Sequence, residues 1–436
     1  MNRRNFLRNT SLSLGSAVIA PGTFTALSPS ETPDIKTALD TWAQVRDAFL
    51  LDHHHIQMAQ MLLASHPKRV RDAITKHRKA FDESPAHYWE EKFQTAEKIV
   101  TEAASRYMHC MPGEIALTDS TTQGMAMFLN GFKLKPGDEV LSTTHDHYIT
   151  DKSIEFACTK KGAISKRVAE FADPAQVTVD EVVSKITGAI NQKTRVVVVT
   201  WVQSCTGVKL PIKAIAKAIA EINLHREAKD RIYFLVDGVH GFGNQADRAG
   251  DLGCDFFAAG THKWMYGPRG TGVMFARKDA WDFVEPTVPP FSQNPFTEWL
   301  GKPLERETTF SELCTPGGFH TFEYRWALNE AFEFQLEVGP EKVHARTTAL
   351  NTMLKEGIRE MSHVRLYTPV ASELSAGINC FEVKGFSETE SVEHFQKNGI
   401  IASSSPYAVS YARLTPCIIN TEDEVQQCLK VLEKMA

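Results

Sequence analysis

The chain has 436 residues, 42% of them hydrophobic and 23% charged, with a formal net charge of −5 at neutral pH. These values suit a large folded protein with room for two domains, and no basic patch points to a nucleic-acid partner. The eight cysteines, Cys110 to Cys428, are scattered without metal or disulfide spacing, so no pairing is assigned.

Asn2-Arg3-Arg4-Asn5-Phe6-Leu7-Arg8 reads as a twin-arginine export signal, followed by a weakly apolar run over residues 11–20. That run is too short to cross a bilayer, and no other stretch reaches the ~20 apolar residues a span requires. Residues 1–26 are therefore expected to lie outside the fold. They imply the twin-arginine export machinery as a partner, a periplasmic location and no stable membrane insertion. Removing them takes away three arginines and no acids, leaving a charge of −8. A short linker rich in Ser, Thr and Pro follows at 29–33.

The body of the chain opens with Leu51-Asp52-His53-His54-His55. Three consecutive histidines cannot all face one ion from a regular strand or helix, so an active-site entrance loop is preferred over a metal site. Residues 67–81 and 88–109 predict amphipathic helices. The aromatic Pro85-Ala86-His87-Tyr88-Trp89 between them suits substrate contact or, more commonly, core packing. A short strand over 114–118 runs into Asp119-Ser120-Thr121-Thr122-Gln123-Gly124 and a helix over 125–132. Hydroxyls and free amides at a helix N-terminus make an anion site, and equally an ordinary N-cap.

A turn at Lys135-Pro136-Gly137-Asp138 leads into a strand over 139–142, then Thr143-Thr144-His145-Asp146-His147-Tyr148. His145 and His147 would suit a metal, but no third ligand is apparent, so no metal site is expected. Helices are predicted over 154–160, 178–190 and 212–222, and strands over 164–168 and 195–200. Val196-Val197-Val198-Val199 has the apolar continuity of a parallel strand covered on both faces, and ends in Trp201-Val202-Gln203-Ser204-Cys205-Thr206-Gly207. The alternation from 114 to 276 predicts a doubly wound α/β sheet.

Arg231-Ile232-Tyr233-Phe234-Leu235-Val236 reads as a buried strand ending in Asp237-Gly238-Val239-His240. A carboxylate at the end of a parallel strand points into the crevice where α/β proteins bind ligands. One strand later comes Gly260-Thr261-His262-Lys263-Trp264-Met265-Tyr266-Gly267-Pro268. A lysine on a turn between two buried strands carries a desolvation cost unless it is paired or covalently used. Kept neutral, its amine can attack an aldehyde; a lysine snorkelling from a strand end is the plainer alternative. An acid to pair a pyridinium nitrogen, then a lysine to hold an aldehyde, is what a pyridoxal phosphate (PLP) enzyme needs.

The Asp-Gly-x-His and Thr-His-Lys segments resemble fold-type I PLP enzymes of the class V aminotransferase family, which includes cysteine desulfurases, kynureninase and isopenicillin N epimerase-like proteins. The resemblance runs from about residue 50 to the C-terminus. It implies a large, mainly parallel, seven-stranded-type sheet domain over 34–310 and a small α+β domain over 311–436. It also implies pyridoxal 5'-phosphate as cofactor and a homodimer. Lys263 is then the Schiff-base lysine and Asp237 the partner of the pyridine nitrogen. His147 falls where relatives stack a ring on the cofactor, with Tyr148 as runner-up, and His240 where they bind its phenolic oxygen. Ser120, Thr121 and Thr122 fall at the phosphate turn, with His262 helping to place phosphate or aldimine. Gly260 stands where many relatives have a phosphate-binding serine, so Thr261 is expected to substitute. Gln203 and Thr206 lie on the loop near the ring.

Downstream, 281–306 reads as a long loop near the dimer interface. Thr315-Pro316-Gly317-Gly318-Phe319-His320-Thr321 precedes a helix over 322–336, and the resemblance implies that His320 or Thr321 reaches the partner's phosphate. The small domain is expected to hold a helix over 341–361, strands near 364–367 and 378–383, a helix over 389–397 and a strand over 400–403. Arg413-Leu414-Thr415-Pro416…Asn420-Thr421 resembles kynureninase and the epimerase-like group, in which the arginine grips the substrate carboxylate; guanidinium geometry suits that task. Desulfurases carry a nucleophilic cysteine on the loop that corresponds to 403–410, and this chain has none there. The resemblance therefore implies transamination, epimerisation or elimination through an external aldimine on a small amino-acid or peptide substrate. Desulfurase or lyase chemistry, or oxidative tailoring of a secreted peptide such as a siderophore, is the alternative. A noncatalytic periplasmic binding protein on the same fold would be expected to lack Lys263 or Asp237.

Overall fold

The computed structural model describes residues 39–93 and 95–436. The expected export signal and linker lie outside these residues. A two-residue strand, β1 (Ile56–Gln57), precedes the main sheet. That sheet comprises β2 (Ile115–Thr118), β3 (Glu139–Thr143), β4 (Ile164–Val168), β5 (Thr194–Thr200), β6 (Tyr233–Asp237), β7 (Phe256–Gly260) and β8 (Gly272–Ala276). Their spatial order is β2-β8-β7-β6-β5-β3-β4. Only β8 is antiparallel to its neighbours, β2 and β7; the pairs from β7 to β4 are parallel.

The fold follows from strands that are apolar on both faces. Val197, Val199 and Phe257 enter one core, and Val196, Val198, Leu235 and Phe256 enter the other. Helices Ala96–Met108, Ile212–Asn223 and Leu328–Val338 cover the first face, while Thr121–Gly131 and Tyr148–Lys161 cover the second. Parallel strands need such crossover helices, so the sheet is doubly wound as expected.

Toward the C-terminus come β9 (Val364–Leu366), β10 (Asn379–Val383), β11 (Ile400–Ile401), β12 (Ser403–Ser404) and β13 (Ala412–Leu414). A four-stranded antiparallel sheet in the order β12-β13-β10-β9 packs on helices Pro340–Arg359 and Glu422–Glu433. Their core includes Leu350, Leu354, Phe381, Leu414, Val425 and Leu432. Residues Leu39–Ala436 form one body that holds both sheets.

Four local expectations differ. The helix expected over 88–109 is two helices, Pro85–Lys92 and Ala96–Met108. Its aromatic segment packs against the core, the commoner of its two readings: Tyr88 and Trp89 are partly buried against Phe81, Phe322 and Trp326. The loop expected over 281–306 contains the helix Gln293–Trp299. The helix expected over 322–336 is interrupted at Ala327 into Phe322–Trp326 and Leu328–Val338. The strand expected over 400–403 is split between two sheets, because Ile400 pairs with Ile56 of β1 whereas Ser403 pairs with Arg413 of β13. Periodicity reports which residues are buried, and it cannot see which partner a two-residue strand will find.

Candidate active site

The C-terminal ends of β2, β3, β5, β6 and β7 share one edge of the sheet, because each runs parallel to the others. The loops leaving these strands carry Ser120 to Thr122, His147, Gln203, Asp237 and Lys263. A buried carboxylate sets their spacing. Asp146 accepts backbone N–H groups from Thr143 at 2.7 Å and Thr200 at 2.8 Å, stapling the ends of β3 and β5 together. Burial, with Glu170 beside it, pushes its carboxyl up to about 7.

Asp237 ends β6 in register between Thr200 and Ala258 and is 1% exposed. Its oxygens receive an N–H from Val239 at 3.2 Å and a long contact from the Thr150 hydroxyl at 3.5 Å. Burial pushes the carboxyl up to about 6, against the opposing pull of Lys263. The Lys263 side chain keeps partial solvent contact from its turn after β7, yet burial brings its amine down to about 8. Its Nζ lies 3.1 Å from Nε2 of His240, and the Trp264 indole N–H donates to Nδ1 of the same ring at 3.2 Å.

At the far end of the edge, Ser120 caps the helix Thr121–Gly131 by accepting from the Gln123 N–H at 3.1 Å. Thr121 is buried and its hydroxyl accepts from the Gly260 N–H at 2.7 Å, while Thr122 is exposed on the first turn. The His262 ring converges on the same spot: a Cβ built on Gly260 would lie 3.1 Å from both His262 Cε1 and Thr121 Oγ1. Burial, then Lys263, brings His262 down to about 4, so its ring is neutral.

Two expected cofactor residues point elsewhere. Thr261 is fully buried, and its hydroxyl is held by Thr271 Oγ1 at 2.5 Å and Thr271 O at 3.1 Å. It faces the core beside β8 and does not replace a serine at Gly260. Gln203 is also fully buried; its amide donates to Glu170 and its carbonyl accepts from Thr206 at 3.0 Å. A buried carboxylate, Glu170, shared with Thr144 and His145, claims it. The His53–His55 run is exposed, with His55 paired to Asp52 at 2.5 Å.

His147 is N-cap of the helix Tyr148–Lys161, whereas Tyr148 is 66% exposed and turned outward. Burial, then Lys263 and Arg413, lowers the His147 imidazole below its usual range. Its ring meets Tyr407 edge-on, with centroids 5.9 Å apart. Arg413 is 1% exposed on β13 and reaches across from the smaller sheet. It donates to Ser204 O at 2.8 Å, Ser404 O at 2.5 Å and Ser403 Oγ at 3.2 Å. Of its five N–H donors, two remain for a ligand.

Sequence reasoning did not single out Thr150, Trp264 or Tyr407. Tyr407 hydrogen-bonds Ser204 at 2.8 Å from the loop inspected only for a cysteine. Trp264 adjoins the lysine and reads as core, and Thr150 sits one turn into a helix.

The aminotransferase class-V family profile matches residues 64–427. The chain belongs to the class-V aminotransferase family. Isopenicillin N epimerase of Streptomyces clavuligerus is 23% identical over 414 residues, which are 91% of this chain and 99% of that protein. Cysteine desulfurase of Cronobacter sakazakii is 23% identical over 77% of this chain and 80% of its own. Among solved structures, a mutant of C-DES with glycine covalently linked to its PLP cofactor superposes with a TM-score of 0.79 at 19% identity, covering 89% of this chain and 98% of its own. The fold is thus the fold-type I arrangement.

The cofactor that goes with class-V membership is pyridoxal 5'-phosphate. The residues present fit it. Asp237 is a buried acid that makes no salt bridge among the described residues and feels only the Lys263 amine as a cation, which suits a protonated ring nitrogen. His147, His240, His262, Lys263 and Arg413 crowd the rest of the edge with donors, which suits an anionic ligand.

One pH dependence follows. Asp237 is raised above its ordinary value, so in the cofactor-free protein its contribution to stability is complete below about pH 4 and is lost as pH rises through about 6. Asp237→Asn removes that loss. Denaturant titrations of cofactor-free protein should show wild type losing roughly 2–3 kcal/mol more than the variant between pH 4 and 7. Overlaying profiles would mean that the carboxylate is held ionised by another group.

Proposed function

We propose that this class-V enzyme acts on the amino group of an amino acid or peptide, with Lys263 as the residue that carries the cofactor. The observation that carries this reading is the Lys263 amine, largely buried and lowered to about 8, on the same crevice as the buried acid Asp237. When bound, PLP supplies an electron sink for the carbon bearing the amino group, through its ring nitrogen. Asp237 would pair with that nitrogen. His147 would lie against the ring, and His240 would offer an N–H beside Lys263. The amides of Thr121 and Thr122, with Ser120 and His262 around them, would hold the phosphate. Lys263 moves the proton at the substrate carbon, and Arg413 orients the substrate carboxylate.

Persulfide chemistry is disfavoured. Tyr407 fills the loop that lacks a cysteine, and Cys417 is fully buried with its thiol on Asn420 at 3.7 Å. Burial also pushes the Cys205 and Cys380 thiols up, away from thiolate. Transfer, epimerisation and elimination all begin with the proton step assigned to Lys263, and the epimerase likeness over 99% of that relative supports this set.

We also propose a homodimer. Phe291, Phe296, Trp299 and Phe319 are exposed on this part of the chain, and Phe291, His320 and Arg325 line a cavity of about 520 Å³ there. A second copy would cover it, and Thr321, exposed and without a side-chain cap bond, would reach the partner's phosphate. Sedimentation of the loaded protein as a monomer would overturn this.

Protein recovered from the periplasmic fraction should be yellow, and borohydride should fix the cofactor to the peptide containing Lys263. Label on another lysine would defeat the assignment. Arg3→Lys with Arg4→Lys should hold the folded precursor in the cytoplasm; an unchanged periplasmic fraction would contradict export by the twin-arginine route.

Arg413→Ala should keep the cofactor's absorbance and weaken binding of carboxylate-bearing amines about ten- to hundred-fold, the worth of roughly 1.5–3 kcal/mol for a charge-assisted pair. Amines without a carboxylate should be nearly indifferent. Equal loss for both would make the arginine a structural tie between the sheets.

A further inference from the structure

We propose that Trp264 is a positioning residue that fixes the His240 ring with its Nε2–H aimed at the Lys263 amine. The proposal rests on Lys263 being the reactive amine. An indole N–H donates and never accepts, so the His240 nitrogen 3.2 Å from it, Nδ1, carries no proton. In the neutral ring the proton is then on Nε2, which lies 3.1 Å from Lys263 Nζ. Only an uncharged amine offers a lone pair to that N–H. Protonating His240 would set a second donor against the indole. The chain of two hydrogen bonds therefore favours a neutral imidazole and a neutral amine together.

Trp264 is held at its backbone and at its ring. The Gln335 amide donates to Trp264 O at 2.7 Å and to Gly243 O at 3.2 Å. The ring lies over Gly377, where a Cβ would come within 2.3 Å of Trp264 Cη2, so any larger residue would displace it. Trp264 is 2% exposed and His240 4%. The titratable groups facing His240 are Lys263, Arg413, His147 and His262; all are basic, and all act with burial to oppose its protonation. His240 thus presents one fixed donor to Lys263 while its ring is neutral.

Trp264→Phe keeps most of the ring and removes the donor. Its Nδ1 freed, His240 can turn its proton to that side and accept from a Lys263 ammonium through Nε2. The test is acylation of the cofactor-free, full-length protein by acetic anhydride across pH, with the Lys263 peptide quantified by mass spectrometry. The midpoint of Lys263 reactivity should rise by about half a pH unit or more in Trp264→Phe. In His240→Leu, whose side chain neither donates nor accepts, adding Trp264→Phe should shift nothing. No shift in the first background, or an equal shift in both, would overturn the proposal and leave Trp264 a packing residue. Independently of any variant, selective ¹⁵N-histidine labelling of wild type should show His240 protonated on Nε2; a proton on Nδ1 overturns the proposal outright. Borohydride labelling of another lysine would instead defeat the reading of Lys263, and the Trp264–His240 pair would still be judged by its tautomer.

Discussion

The site depends on one carboxylate kept out of water with no ion pair among the described residues, and with only the more distant Lys263 amine as a cation opposing its burial. Asp237 is tied to a backbone N–H and a distant hydroxyl, and neither neutralises it. A buried acid in this state is expensive, and proteins keep such groups where a ligand completes them. The sheet makes the cost bearable. β6 is flanked by β5 and β7, both buried along their whole length, so the acid stands in the middle of the buried sheet. The Asp146 staple then fixes the two loops on its far side. The body can therefore hold a charge that a looser scaffold would relax around.

The second consequence concerns which groups can change charge while the site works. His147, His240 and His262 are all pushed below their usual range, first by burial and then by Lys263 nearby. At neutral pH they are neutral rings, and those of His147 and His240 have fixed acceptor sides. Arg413 stays charged even though burial lowers it, because a guanidinium cannot lose its proton in a protein. Among the basic groups of the site, that leaves Lys263, lowered to about 8, nearest its own midpoint. A crowd of basic side chains thus singles out one amine for proton movement, since each neighbour penalises charge on the others.

Much of this was legible in the sequence because strand ends are legible. Four buried valines ending in a polar loop, an apolar strand ending in Asp237 and a lysine on a glycine-rich turn place three loops at one edge before any coordinates are known. The family resemblance then supplied roles that spacing alone could not. What the sequence hid was direction. Thr261 and Gln203 sit at the right positions along the chain, but Thr271 and Glu170 turn them away from the crevice. Both capturing residues are distant in sequence or lie on another element, so no local pattern announces them. Trp264 was hidden for a related reason: an apolar ring beside a lysine predicts packing, and its single polar atom matters only once His240 is known to lie 3.2 Å away.

Arg413 brings the two sheets into one argument. Its guanidinium is fixed by three protein oxygens, one of them Ser204 O on the loop leaving β5 and two on the 403–404 strand beside it. The smaller sheet therefore grips the large one through the residue assigned to the substrate carboxylate. Tyr407, bonded to Ser204 and packed edge-on against His147, closes the same corner from the loop above. A carboxylate arriving there meets donors that cannot swing to meet it, so little orientation is lost on binding and a ligand of the wrong shape gains little by adjusting them. If Arg413 takes the substrate carboxylate as proposed, selectivity in this corner rests on the two N–H groups it still has free and on the room Tyr407 leaves, which places substrate choice in the loop of residues 403–410 more than at the cofactor edge.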